Sequence, residues 1–269
     1  MESEPRLRDD DHRIFGAWMR AAAMHAQTDR HQRRVDQARA AIGAALASEE
    51  GWACMVSAGK DSSVLGHLVA SMDSTVEWFS EKDDLDYPCE REYVTGLASR
   101  CLAPLTVVTP PFSVWDRFAS LAGELGAWED IHGRASSLSS DAFYDVVEGA
   151  TAGRPIFLGL RAEESRGRAA NRYSRGLTYT KRSGQTVCQP LGDWRALDVY
   201  AYAAAHDLEL LPVYRCVAMM HAEDPSRIRK SWWVGGAANA NGHVRWLAHY
   251  WPSLFAKLCG VMPHARRMT

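Results

Sequence analysis

"CMVSAGKDSSVLGHL", residues 54–68, decides how the rest of the chain is read. A short apolar run ends in small and polar residues, and a second apolar pattern follows with a different period. Cys54, Met55 and Val56 suit a buried strand, while Val64, Leu65, Leu68 and Val69 fall on one face of a helix. Residues 57–63 therefore form the turn between the two. The first turn of a helix carries amide hydrogens without internal partners, and its dipole favours an anion. Small residues let the backbone come close to a phosphate. Ser57, Ser62 and Ser63 offer hydroxyls, Lys60 offers a point charge, and Asp61 offers either a helix cap or a magnesium ligand. A plain strand-to-helix turn with a solvated lysine is the bland reading of the same residues.

Working outward, strands and helices alternate. Ile14 to Leu46 reads as helix, with Val35, Ala38, Ile42 and Leu46 at helical spacing. "STVEWFS", "LTVVTP" and "RPIFLGL" read as strands; "CEREYVTGLASRCL", "DAFYDVVEGA" and "RALDVYAYAAAHDL" read as helices. "VRWLAHYWPSLFAKL" reads as two short helices broken at Pro252. Such alternation predicts an α/β fold, a twisted and mostly parallel sheet of about five strands with helices on both faces. The expected division is a helical N-terminal extension (1–50), a nucleotide-binding domain (51–215) and a helical C-terminal appendage (216–269). Ligands of such sheets bind beyond the carboxyl ends of the strands. "SAGKDSS", "SEKDDLDYP" and "RAEESRGR" all follow predicted strands, so the three are expected to build one site.

The bulk properties narrow the class. With 269 residues, 46% apolar and 24% charged, the chain has the composition of an ordinary globular protein. No apolar run reaches membrane-spanning length, and the acidic start "MESEPRLRDDDHR" lacks the pattern of a secretory signal. A cytoplasmic location and no membrane partner are expected. The 6 cysteines form no C-x-x-C pair, which removes support for a zinc ribbon or iron–sulfur cluster. The 10 histidines show neither H-x-x-x-H nor H-E-x-x-H spacing, so no metal role is read for them.

The turn resembles the S-G-G-K-D-S signature of the PP-loop ATP pyrophosphatases. Ser57, Gly59, Lys60, Asp61 and Ser62 match in order, and Ala58 replaces the middle glycine. Three further segments resemble the phosphoadenosine-phosphosulfate (PAPS) reductases and the small subunits of ATP sulfurylase. These are "FSEKDDLDYPCEREYV", with its Tyr87–Pro88 pair, "LGLRAEESRGRA" and "QPLGDWRALDVYAYAAAHDLELLPVY". Gly159, Arg161, Glu164 and Ser165 match the G-x-R-x-x-E-S motif, with Arg166 and Arg168 near its last arginine. Pro190, Leu191, Asp193, Trp194, Asp198, Val199 and Tyr202 match the third. The resemblance, over about residues 50–215, implies an adenine-nucleotide α-hydrolase-like fold.

On that resemblance, ATP and Mg2+ are the expected cofactors. Lys60, Asp61, Arg161 and Arg166 are the expected catalytic residues, with Asp61 as the magnesium ligand. Ser57, Ala58, Gly59, Ser62, Ser63, Gly159, Glu164, Ser165 and Asp193 are expected to join Lys60 and Asp61 in holding the nucleotide. Trp194 is expected to pack beneath that pocket, and Asp193 to orient an arginine or a metal. The implied reaction is cleavage of ATP to AMP and pyrophosphate with adenylation of an acceptor, either sulfate or a nucleic-acid group in sulfur-type chemistry. Two alternatives stay open: a thioredoxin-dependent PAPS reductase with Cys259 as nucleophile, and a nucleotide- or nucleic-acid-binding module without turnover. Cys259 sits in "KLCGVMPHARR", where Leu258 replaces the glutamate of the reductases' E-C-G motif. The cations crowded over residues 166–182 suit a nucleotide, a nucleic acid or a sulfur-donor protein, or simply a solvated loop. A homo-oligomer is also open.

Overall fold

Parallel pairing around one central strand sets the architecture. The protein is described by a computed structural model over residues 4–125, 149–151, 153–219, 228, 230 and 243–268. Its strands are β1 (Ala53–Met55), β2 (Glu77–Glu81), β3 (Leu105–Val108), β4 (Ile156–Phe157), β5 (Thr178–Thr180) and β6 (Thr186–Cys188). They form one 6-stranded sheet in the order β3-β2-β1-β4-β6-β5. All neighbours run parallel except the edge pair β5–β6. The parallel sheet is as expected; the sixth strand and its hairpin go beyond it. That hairpin turns at Gly184, which takes a left-handed φ of 88°.

The helices are, in chain order, α1 (Asp9–Ala26), α2 (Asp29–Ser48), α3 (Lys60–Ala70), α4 (Glu90–Arg100), α5 (Val114–Leu125), α6 (Arg166–Arg175), α7 (Ala196–Ala205), α8 (His243–Tyr250) and α9 (Pro252–Val261). The expected single helix from Ile14 to Leu46 is two. Thr28 starts the second by accepting the amide of His31, a helix-start device that apolar periodicity does not report. Pro252 opens α9, as read. The helix expected over "DAFYDVVEGA" lies largely outside the described residues.

One continuous apolar core includes Ala38 and Ile42 of α2, Val64 and Leu65 of α3, Trp78 of β2, Val199 of α7 and Leu254 of α9. Trp52 stacks on Phe157 at 4.4 Å between ring centroids, closing the lower end of β1 and β4. Asp11, fully buried in α1, ties distant parts of the chain together. Its Oδ1 accepts the amides of Val217 and Ala218 and the hydroxyl of Tyr250, each at 2.7 Å, and its Oδ2 accepts the Arg8 amide at 2.8 Å. A buried carboxylate needs several such donors to offset its lost hydration.

The strand order fixes where a ligand can sit. β2 and β3 lie on one side of β1, and β4 on the other, so the order in which strands are added changes direction at β1. The loops after β1 and β4 leave the sheet at this switch point, the usual ligand position of such sheets.

Candidate active site

The Ser57–Ser63 turn sits at that position. Val56 still pairs with β2 through the Phe79 carbonyl, and Gly59 caps α3 with φ −65° and ψ 149°. Between them Ala58 holds a left-handed φ of 66°. This is the position where the family signature has glycine. A methyl group there costs roughly 1 kcal/mol, so the surrounding turn must enforce the conformation. A left-handed residue before a helix turns successive amides toward one point, the geometry of an anion nest. Among the described residues, no acceptor meets the amides of Ala58, Gly59, Asp61 or Ser62. The two serines brace the turn: the Ser57 amide donates to Ser62 Oγ at 3.1 Å, and Ser62 Oγ donates to the Gly59 carbonyl at 3.0 Å. Ser63 is fully buried and its amide closes the first helical turn on Gly59, so it supports the turn from the core side.

Lys60 is only 1% exposed and its Nζ lies 2.8 Å from Asp61 Oδ2. The other oxygen of Asp61 accepts Arg161 Nε at 2.5 Å. Arg161, 3% exposed, also contacts Glu163 at 2.6 Å. Burial alone pushes the Asp61 carboxyl up, but the Lys60 and Arg161 charges outweigh it and hold it below its ordinary range. Burial works against the Arg161 charge too, and Asp61 and Glu164 overcome it. Asp61 was expected to bind magnesium. Both its oxygens instead bridge cations, an arrangement that does not fit a metal ligand.

Gly159 explains how β4 reaches this turn. A Cβ there would stand 3.0 Å from the Asp61 carbonyl carbon and from Ser62 N and Cα. Only a glycine lets the two backbones meet so closely. Glu164 folds back on the Arg161 amide at 2.9 Å and pairs with Arg168, while Ser165 caps α6 through the Arg168 amide. These residues shape the loop that carries Arg161.

Other expected site residues stand apart. Asp193 holds Arg172 at 2.6 Å, the arginine-orienting role of the two that were open. Arg166 is exposed in the first turn of α6, and Arg175 lies 5.3 Å from the Tyr179 ring centroid. Trp194 does not lie beneath the turn: its Nε1 donates to the Arg34 carbonyl of α2, and its ring meets His31 and Tyr202.

The structure brings further residues to this end of the sheet. Tyr214, fully buried, accepts the Lys60 amide at 2.8 Å and lies beneath the Lys60 ammonium, 5.5 Å from ring centroid to Nζ. Lys82, just past β2, reaches the Ser57 carbonyl at 3.5 Å and Glu90 at 3.2 Å. Lys230 joins Glu90 at 2.7 Å and Asp86 at 3.0 Å. Glu81 is pushed up to about 7 by burial and by Asp83 and Asp86. A cleft of about 270 Å³ opens beside this group, lined by Lys82, Asp83, Asp84, Arg91, Thr109 and Phe112. The crowded carboxylates mostly serve local structure: Asp84 caps α5 through Ser113 and Trp115, and Asp83 accepts the Leu85 amide.

Residues 52–216 match the family profile described as the phosphoadenosine phosphosulfate reductase domain. The chain belongs to this PAPS reductase family. Among solved structures it is similar to PAPS reductase from Candida auris in a phosphate complex. That likeness has a TM-score of 0.50 and 15% identity, and covers 65% of this chain and 81% of the other. It is also similar to Candida glabrata FMN adenylyltransferase, at TM-score 0.50 and 11% identity over 78% and 67% of the two chains. These likenesses bear out the mostly parallel α/β fold expected from the sequence. No curated protein sequence gives a significant match. Among the described residues, no helix is long and apolar enough to cross a membrane.

Proposed function

We propose that this family member is an enzyme that binds ATP on the Ser57–Ser62 turn, cleaves it to AMP and pyrophosphate, and adenylates an acceptor. One observation carries the reading: four amides at the α3 N-terminus have no acceptor among the described residues, around a left-handed Ala58 and beside the buried cations Lys60 and Arg161. A nucleophilic oxygen of the acceptor forms a bond to the α-phosphorus as the bond to the β-phosphate bridging oxygen breaks. The leaving pyrophosphate takes that electron pair. The amides and Lys60 neutralise the charge that develops there, and Arg161 steadies the α-phosphate. Asp61 positions both cations rather than a metal; magnesium enters the proposal only as an ion carried on the nucleotide phosphates. Tyr214 holds one amide of the turn, so nucleotide binding displaces its hydroxyl or settles beside it. The exposed arginines of α6, which follows the Arg161 loop in the chain, suit an anionic acceptor, sulfate or a nucleic-acid phosphate.

The test is release of pyrophosphate from labelled ATP, with sulfate and with nucleic acid supplied separately. Release with either, lost in Lys60→Ala, supports the proposal; tight ATP binding with no release under any condition overturns it in favour of a binding module. A PAPS reductase is the second reading, favoured by the family itself. Cys259, its required nucleophile, is 4% exposed and packed in α9 with Leu254 and Leu258. Thioredoxin-dependent sulfite formation that disappears in Cys259→Ser would establish that reading instead.

A further inference from the structure

We infer that His25, His31 and Asp198 bind one divalent transition-metal ion of the zinc class, apart from the nucleotide chemistry of the Ser57–Ser62 turn. His25 ends α1 and His31 begins α2, and the Thr28 turn between them brings both rings over the first turn of α7. There His25 Nε2 lies 2.7 Å and His31 Nδ1 3.6 Å from Asp198 Oδ1, and the three ligand atoms all lie within 4.8 Å of one another. No sequence spacing announces such a group, because Asp198 is 173 residues from His25.

His31 is the telling member. It is 3% exposed, and its Nδ1 is buried without a hydrogen-bond partner. At 3.6 Å, Asp198 is too far to serve as one. An orphaned ring nitrogen is costly, and a metal ion is one occupant that removes the cost. Ligand atoms of a tetrahedral site with bonds of ~2.0–2.2 Å stand ~3.4 Å apart. The His31–Asp198 separation is already close to that, and the 2.7 Å His25 contact must open by about 0.7 Å to reach it.

The surroundings orient the ligands. Asp198 Oδ2 is held by the Arg195 amide at 2.7 Å and by Arg34 Nε at 3.4 Å, leaving Oδ1 to face the histidines. Trp194 meets His31 edge-on with centroids 5.8 Å apart and walls the inner side. Such supporting contacts fix ligands and tune metal affinity. His25 keeps 18% of its side chain exposed, which leaves an approach for the ion and for a water in the fourth position. Two nitrogen donors to one oxygen disfavour magnesium and calcium. The Arg34 charge opposes a further cation, so affinity falls short of a closed four-ligand site. A bound ion would staple α1 and α2 to α7.

The experiment titrates untagged full-length protein, stripped with EDTA and returned to chelator-free buffer, with cobalt(II) and then zinc(II). Cobalt should give one equivalent of visible absorption per chain, displaced by zinc, and either metal should raise the melting temperature. The H25Q/H31Q double variant should weaken cobalt binding by about tenfold or more. H67Q/H206Q, which alters a second histidine pair, should bind as the wild type does. Metal-free H31Q should melt near the wild type, which separates a lost ligand from a lost fold. Absence of any cobalt spectrum up to about 100 µM, or binding indifferent to H25Q/H31Q, overturns the inference and leaves His25 as a plain hydrogen-bond partner of Asp198.

Discussion

Asp61→Asn replaces the one carboxylate that two buried cations share while keeping its shape. Asp61 Oδ2 is 2.8 Å from Lys60 Nζ and Oδ1 is 2.5 Å from Arg161 Nε. Removing one partner of a buried ion pair costs about 3–5 kcal/mol, because the remaining charge stays desolvated. Arg161 retains Glu163 at 2.6 Å, so the loss falls mainly on Lys60, which has no second carboxylate among the described residues. The low end, about 3 kcal/mol, is therefore expected. For a chain of this size that corresponds to a melting point about 6–12 °C lower. A phosphate supplies the missing negative charge. Pyrophosphate or ATP should then raise the melting temperature of the variant more than that of the wild type, even though its turnover suffers. Differential scanning fluorimetry with a ligand series reads both effects. A variant melting within about 2 °C of the wild type, or an equal ligand shift in both proteins, would refute the idea that these cations form a phosphate site restrained by Asp61.

Three other contacts give outcomes of their own. Gly159→Ala places a methyl 3.0 Å from backbone atoms of Asp61 and Ser62, which cannot rotate away; a loss of about 1–3 kcal/mol by urea unfolding is expected, with weaker ATP binding by calorimetry. Unchanged stability and affinity would mean that the strand and helix do not meet as described. Glu81 has an ordinary pKa of 4.5 and a folded value of about 7, so the folded state keeps its proton longer. Stability should fall as pH rises from about 4.5 to 7, and Glu81→Gln should flatten that slope and be the more stable protein at pH 8; identical urea midpoints of the two across that range would contradict the burial of this carboxyl. Tyr214→Phe removes the acceptor of the Lys60 amide at a cost of about 1 kcal/mol. ATP affinity should hold or tighten as that amide opens, and a tenfold loss would show that the hydroxyl itself grips the nucleotide.

The motif-bearing strands and their turns were legible because local chemistry decides them. A buried apolar strand, a small polar turn and an amphipathic helix are all visible over residues 54–68, and the same holds for Glu77–Glu81 and its turn. Helix α6 escaped notice because it buries no residue and so has no apolar period. Its signal was at the ends, Ser165 as cap and Gly176 beyond. The contact of Arg161 with Asp61 was foreseeable only in outline: strand order brings the two loops together, but which carboxylate meets which cation is a matter of tertiary packing. Tyr214 ends a segment that the sequence does single out, yet its bond to the Lys60 amide, like the contacts of Lys230 with Asp86 and Glu90, is a matter of tertiary packing. The replacement of the signature's middle glycine by Ala58 was visible in the sequence, but not that the alanine keeps glycine's left-handed conformation.

The clamp at Asp11 has a consequence for synthesis. Its hydroxyl partner, Tyr250, is 239 residues downstream, and its amide partners are more than two hundred away. A ribosome adding roughly 5–20 residues per second exposes the first helix for some tens of seconds before Tyr250 leaves the exit tunnel. Through that interval the Asp11 carboxyl lacks its distant donors, while Phe15 and Trp18 of the same helix gain their seat on Tyr200 earlier in synthesis. The clamp therefore closes late, and ribosome-bound chains halted short of Val217 should be more open to protease at their amino end than the finished chain.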